Sequence, residues 1–156
     1  MKKNNILTIN KQIGFSYEII NKYEAGIKLT GPEVKAVKSG LVNLNGSYVT
    51  IEFDSKNHPS IILKNCNISR YKKSGYTQSK YNPLRDRQLL LHKKEVRTLV
   101  GKLNTKGLTL VPVSVYNMRR LIKFELALVK GKSKLDKREH IKKRDVNRRI
   151  RQKMHT

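Results

Sequence analysis

The chain has 156 residues, room for one ordinary domain and a tail but too little for two full cores. Only 37% of the residues are hydrophobic, and 35 Lys and Arg stand against 11 Asp and Glu, a formal charge of +24. Such self-repulsion is relieved beside a polyanion, so nucleic acid is the expected partner, and no feature supports a membrane surface.

In chain order, Met1 to Asn10 begins with Lys2 and Lys3 but offers too few apolar positions for a secretory leader. No run approaches the roughly 18 apolar residues of a membrane helix. Tyr17 to Leu29 reads as a strand. Gly31-Pro32, followed by Val34, Val37 and then Gly40, predicts a short helix with proline at its first position and glycine just past its end. Ser47 to Phe53 alternates as a half-buried strand, which puts Val49, Ile51 and Phe53 on one face. Ser60 to Lys64 is a further strand. The lone Cys66 has no partner for an internal disulfide; a buried structural thiol in a reducing cytoplasm is expected.

From Lys64 to Arg97 there are ten Lys and Arg against two acids, with Tyr71, Tyr76 and Tyr81 between them. Cations attract phosphate and tyrosines stack on unpaired bases; the competing reading is a solvated loop whose tyrosines cover the domain. A second helix has two possible starts. Asn82-Pro83 resembles one, and Leu89, Val96, Leu99, Val100 and Leu103 then share a face; His92 with Glu95 makes a later one, leaving Leu89 to Leu91 extended. Leu108 to Tyr116 is a strand whose Pro112 belongs at an edge or a bulge, because proline donates no ladder hydrogen bond. Ile122, Phe124, Leu126 and Leu128 form the inward face of the last strand, with Lys123 and Glu125 outward.

These elements predict a mostly β fold with inserted helices, an antiparallel β-barrel of oligonucleotide-binding type over residues 1–130. Residues 131–156 form a basic tail. From Lys130 onward there are 12 Lys and Arg, three acids and no Phe, Tyr or Trp. Like-charge repulsion is expected to keep this tail disordered when free, and helical with Val146, Ile150 and Met154 on one side once phosphates neutralise it.

Catalysis has little to stand on. Gly131-Lys132-Ser133 resembles the end of a phosphate-binding loop, but the glycine that loop requires five positions earlier is Leu126, inside a strand pattern. His58, His92, His140 and His155 are dispersed and no Cys-x-x-Cys occurs, so neither a metal nor a cofactor is expected. No nucleophile-elbow sequence is present. Glu24, Glu33, Glu52, Asp54, Asp86 and Glu95 are expected to serve as ion-pair partners, and the protein is not expected to be an enzyme.

Four runs in the first forty residues carry a resemblance: Asn10-Lys11-Gln12, Tyr17-Glu18-Ile19, Glu24-Ala25-Gly26-Ile27, and Gly31-Pro32-Glu33-Val34-Lys35-Ala36-Val37-Lys38-Ser39-Gly40. Further on stand Pro83-Leu84-Arg85-Asp86-Arg87-Gln88-Leu89-Leu90-Leu91-His92-Lys93-Lys94-Glu95 and Lys106-Gly107-Leu108-Thr109-Leu110-Val111-Pro112. In the tail are Lys130-Gly131-Lys132, Asp136-Lys137-Arg138 and Lys143-Arg144-Asp145. Together they resemble the SsrA-binding protein (small protein B, SmpB) family from about Asn10 to Arg149, in order and at the family's spacing.

The resemblance implies a barrel that binds the tRNA-like domain of transfer-messenger RNA and brings that RNA, alanylated, to ribosomes stalled on truncated messages. The barrel stands in for a missing anticodon arm, and the tail enters the decoding centre and empty mRNA channel of the small subunit. It also implies RNA-facing roles for Asn10, Lys11, Glu24, Lys35 and Lys38. Gly131, Lys132, Asp136, Lys137, Arg138, Lys142, Lys143 and Arg144 are the ribosome-binding tail residues. A monomer in the cytoplasm is expected.

Four of these five barrel residues have a plainer reading: Asn10 fixing a turn, Glu24 pairing within the barrel, Lys35 and Lys38 a solvated helix face. The sequence departs from the family at Pro32, at Lys38 where arginine is usual, and at Lys80-Tyr81-Asn82 in place of Asn-His-Asp, where no polar role is carried over. The tail lacks Phe, Tyr and Trp, leaving His140 or an arginine plane for stacking. The alternative functions are a ribosomal or ribosome-assembly protein and an RNA-modifying enzyme with an accessory barrel.

Overall fold

The structure is a computed structural model that describes residues 5–154. Six strands close a ring: β2 (Tyr17–Ile27), β4 (Tyr48–Phe53), β5 (Pro59–Lys64), β7 (Arg87–Leu90), β8 (Leu108–Met118) and β9 (Leu121–Gly131). Around the ring the order is β8-β4-β5-β7-β2-β9, and β9 returns to β8, all pairings antiparallel. Closure leaves none of the six with a free edge along its whole length, the usual solution to the edge-strand problem in small barrels. A further strand, β1 (Asn5–Ile9), pairs with the later half of β8, and a two-residue ladder joins β3 (Val42–Asn43) to β6 (Asn67–Ile68).

Inside the ring, Ile122, Phe124, Leu126 and Leu128 of β9 are all buried against Leu110, Val115, Ile61, Leu63 and Leu89. Outside it, the same strand buries Ala127 and Val129, because the short helix α1 (Ile13–Ser16) lays Ile13 over them with Val111. The second half of β9 is therefore apolar on both faces, whereas Lys123 and Glu125 keep the expected outward direction.

The helices have local causes. α2 (Gly31–Lys38) starts at Thr30, whose hydroxyl accepts from the Glu33 amide while Glu33 accepts from the Thr30 amide at 3.0 Å. Pro32 is the second helical residue rather than the first. α3 (Lys93–Leu103) takes the later of the two starts: the Glu95 carboxylate accepts from the His92 amide at 3.2 Å, and Leu89 belongs to β7. Pro112 sits at a register shift between β8 and β9, as the bulge reading expects, and on its other side it falls between the β4 pairing at Leu110 and the β1 pairing that starts at Ser114.

Two expectations need correction. Phe53 does not join Val49 and Ile51 in the core but is 53% exposed, because β4 meets β8 only at Val49 and its far end runs out with β5 into a hairpin that nothing covers. β1, absent from the sequence reading, is a strand because the unpaired later edge of β8 accepts it, with a bulge between Ile6 and Thr8.

Gly131 ends β9, and Lys132 is still tied to the barrel: its amide donates to Ser16 O at 3.0 Å and its ammonium to Gly14 O at 2.8 Å. Beyond it runs α4 (Lys134–Met154), with no buried residue.

Candidate RNA interface

On the outer face of β2, β8 and β9, Glu24 stands at the centre of a polar cluster. It accepts from the Tyr116 hydroxyl and the Lys123 ammonium, and next to it Lys22 pairs with Glu125 at 3.1 Å, which in turn accepts from Ser114. Register explains the arrangement, since Glu24 lies directly opposite Glu125 while Lys123 and Tyr116 are paired neighbours across β8 and β9. The Lys123 and Tyr116 hydrogen bonds hold the Glu24 carboxyl below its usual range, and burial followed by the Glu24 contact raises the Tyr116 phenol. About half of the Glu24 side chain stays exposed. The cluster thus offers a fixed carboxylate acceptor beside cations, suited to base or ribose donors next to phosphate. Lys123 and Tyr116 were not singled out from sequence; antiparallel pairing brings them to Glu24.

A shallow apolar step adjoins it, where Leu90 and Leu121, 47% and 62% exposed, flank Gly26 and Lys123. A side chain at Gly26 would meet Leu90 Cβ at 3.5 Å, so the glycine keeps this step low.

A second face is built on α2. Lys35 and Lys38 are exposed, and the Lys35 ammonium lies 5.9 Å from the centre of the Tyr71 ring, a cation–π contact that ties α2 to the basic segment beginning at Arg70. Beneath them Glu33 and Arg87 are fully buried. Arg87 donates to Glu33 at 3.0 Å, to Cys66 O at 2.8 Å, to Arg85 O at 3.1 Å, and to the Tyr81 hydroxyl and Pro83 O at 3.0 Å, so all five of its N–H groups have acceptors. Arg85 adds a two-point grip on the same carboxylate. Burial alone would raise the Glu33 carboxyl; the Arg85 fork, the Thr30 amide and Arg87 outweigh it and hold it down at about 2. Burial pushes the Cys66 thiol up to about 11, a structural sulfur rather than a reactive one. Tyr81, given no polar role from sequence, donates to Ile68 O at 2.7 Å and links the loop to Glu33 and Arg87.

Asn10 is buried rather than presented to solvent. Its amide donates to Leu44 O at 3.2 Å and its oxygen accepts from the Gln12 amide at 3.2 Å, which fixes the turn that displays the exposed Lys11. Of the remaining acids, Glu52 and Asp86 both hold Lys64 and Asp54 meets the His58 ring, whereas Glu95, expected to be an ion-pair partner, caps α3 instead.

In the tail, Asp136 caps α4. It accepts from the Ser133 hydroxyl at 2.7 Å and the Ser133 amide at 3.1 Å, bonds that lower its carboxyl. Lys137, Arg138, Lys142, Lys143 and Arg144 line a helix that touches the barrel at its start, where His140 meets the edge of Phe15 with ring centres 5.7 Å apart.

A family model described as "SmpB protein" matches residues 7–156. The chain belongs to the SmpB family. Among its relatives, this SmpB-family chain is 46% identical to an SsrA-binding protein of Trichodesmium erythraeum over 92% of this chain and 88% of the relative. It is 42% identical to one of Thermosipho africanus over 93% of each. A solved structure described as "tmRNA-SmpB: a journey to the center of the bacterial ribosome" holds a chain that matches with a TM-score of 0.65 and 41% identity, covering 86% of this chain and 93% of that one. The ring of strands and the family together identify the SmpB barrel as of oligonucleotide-binding type, and the family is one of RNA-binding proteins rather than enzymes.

Proposed function

We propose that the protein is the RNA-binding adaptor of trans-translation: it binds the tRNA-like domain of transfer-messenger RNA and delivers it to stalled ribosomes. The observation that carries this reading is family membership over nearly the whole chain, joined to a strongly basic chain in which most of the barrel's few acids are held in ion pairs. The Glu24, Tyr116 and Lys123 cluster contacts the tRNA-like domain. Lys35, Lys38 and Lys11 supply phosphate contacts, and Asn10 acts by placing Lys11. It works as a monomer in the cytoplasm, in association with the ribosome.

The test is Glu24→Gln measured on a tRNA-like RNA fragment. About half of the Glu24 side chain is exposed, and a glutamine oxygen still accepts from the buried Tyr116 hydroxyl, so the melting temperature is expected to stay within about 2 °C. RNA affinity is expected to fall about tenfold, because a charge-assisted acceptor is lost and Lys123 is released from its position. A melting temperature that drops while the folded fraction binds normally would assign Glu24 to barrel stability instead.

The tail residues Gly131, Lys132, Asp136, Lys137, Arg138, Lys142, Lys143 and Arg144 engage the decoding centre and mRNA channel. In α4 no residue is buried and ten Lys and Arg oppose three acids, so packing does not stabilise the helix and repulsion opposes it. Free protein is expected to exchange the α4 amides rapidly, with slow exchange restored on ribosome binding. Protection of the α4 amides in free protein equal to that of β9 would overturn this.

A further inference from the structure

The turn between β3 and β4 carries chemistry that RNA binding does not use. Asn45 and Gly46 are its two central residues, and the Ser47 amide closes it by donating to Leu44 O at 3.1 Å. Gly46 has φ +74° while Asn45 keeps a negative φ, the pattern of a type II turn, whose third position favours glycine because a Cβ is strained there. The N–H between the two central residues of such a turn points outward. Both residues are exposed, and among the described hydrogen bonds none uses the Gly46 N–H or the Asn45 side chain.

Asn45 is the one asparagine of the chain that precedes a glycine. Asn82 precedes Pro83, which has no N–H, and each of the others precedes a residue whose Cβ crowds the amide nitrogen. The nitrogen of Gly46 is thus both bare and close to the Asn45 carboxamide, separated from it by the three carbons of a ring about to close.

We propose that Asn45-Gly46 is a site of spontaneous covalent modification, with water as its co-reactant. The Gly46 amide gives its proton to solvent and attacks Asn45 Cγ. As the new N–Cγ bond closes a five-membered succinimide, the side-chain nitrogen takes up a proton and leaves as ammonia. Water then adds to one of the two ring carbonyls. Breaking the N–Cγ bond restores the chain with aspartate at this position, whereas breaking the bond from nitrogen to the main-chain carbonyl leaves isoaspartate, whose backbone runs through Cγ. One water is consumed, one ammonia is released and nothing is oxidised or reduced. The formal charge of +24 favours the step, since a positive field stabilises the deprotonated amide and the anion formed by its attack.

The surroundings make the two products unequal. Leu44 is buried, and its carbonyl accepts from the Ser47 amide, the Ser47 hydroxyl and the buried Asn10 side chain, while Gly46 O accepts from Asn65 at 3.1 Å. Isoaspartate puts one more backbone atom between Leu44 and Ser47, which breaks the closing bond of the turn. Aspartate leaves the turn intact and adds only a surface charge.

Full-length protein is incubated at mildly alkaline pH and digested with trypsin, and the peptide 39–56 is followed by mass spectrometry, with electron-transfer fragmentation to tell isoaspartate from aspartate. A gain of one mass unit is expected at Asn45, with Asn43 in the same peptide unchanged, and at a rate that rises with pH because attack needs the deprotonated amide. A second unfolding transition about 3–5 °C below the first is expected to grow in step with isoaspartate, the effect of losing one turn hydrogen bond. Asn45→Asp is expected to melt within about 1 °C of the wild type. Asn45→Gln, whose longer side chain closes no five-membered ring, is expected to show neither the mass gain nor the second transition over the same time. An Asn45 that stays unmodified in the intact protein, or Asn43 converted as fast, would overturn the site. Isoaspartate that accumulates with no lower transition would overturn the inequality of the products. Neither result bears on the proposed RNA-binding function, which this inference does not use.

Discussion

A chain ended after Lys132 is expected to keep its affinity for the tRNA-like RNA fragment to within a few-fold and to lose all tagging of peptides on stalled ribosomes. The cut is placed there for a structural reason. Every core residue lies before it, and Lys132 keeps its amide bond to Ser16 O and its ammonium bond to Gly14 O, so the barrel and α1 are left intact. What is removed is α4, which buries nothing of its own and carries Asp136, Lys137, Arg138, Lys142, Lys143 and Arg144. The residual loss of affinity is non-specific, since removing basic side chains lowers long-range attraction to any polyanion and is erased by salt. Tagging fails because nothing then enters the decoding centre. Two measurements on the same truncated protein check this, fragment affinity and tagging on stalled ribosomes. Full tagging would refute the division of labour, as would an affinity loss that parallels the tagging loss.

Arg87→Ala is expected to cost about 3–5 kcal/mol of folding stability, the usual penalty for removing one member of a buried ion pair. Glu33 keeps Arg85, but the carbonyls of Cys66 and Pro83 and the Tyr81 hydroxyl lose a donor in a fully buried site. For a chain of this size the melting temperature should fall by roughly 10–15 °C. The same network sets an acid limit. The Glu33 carboxyl is depressed to about 2 in the folded protein from an ordinary 4.5, so its contribution is fully present above 4.5 and is lost as pH falls from there toward about 2. Glu33→Gln is expected to flatten that part of the stability curve while lowering stability at neutral pH. Thermal unfolding between pH 2 and 7 on the three proteins decides it. A change in melting temperature under about 2 °C for Arg87→Ala would show that the ion pair adds nothing to stability.

Much of this protein was determined by sequence alone. Charge excess announced a polyanion partner, and strict alternation at Ile122, Phe124, Leu126 and Leu128 fixed the inward face of β9. Proline in the run Leu108 to Tyr116 marked an edge or a bulge, and the spaced runs from Asn10 to Arg149 pointed to the family. These signals are local, written in period, composition or consecutive residues, and need no knowledge of what lies across the sheet.

Other features were decided only by tertiary structure, because each depends on partners distant in sequence. β1 is a strand since β8 extends past β4 and leaves an edge open. Leu89 to Leu91 leave the helical pattern because β5 and β2 pair with β7 on either side. Phe53 is exposed because its hairpin runs beyond the ring. The Glu24 cluster needs the register of β2 on β9 and β9 on β8 to bring Lys123 and Tyr116 from about a hundred residues away. Tyr81 gains its polar role only when the loop folds over Glu33 and Arg87. Asn10, read as RNA-facing, turns inward because a buried Leu44 carbonyl needs a donor there, and a buried acceptor left unpaired costs more than a surface contact returns.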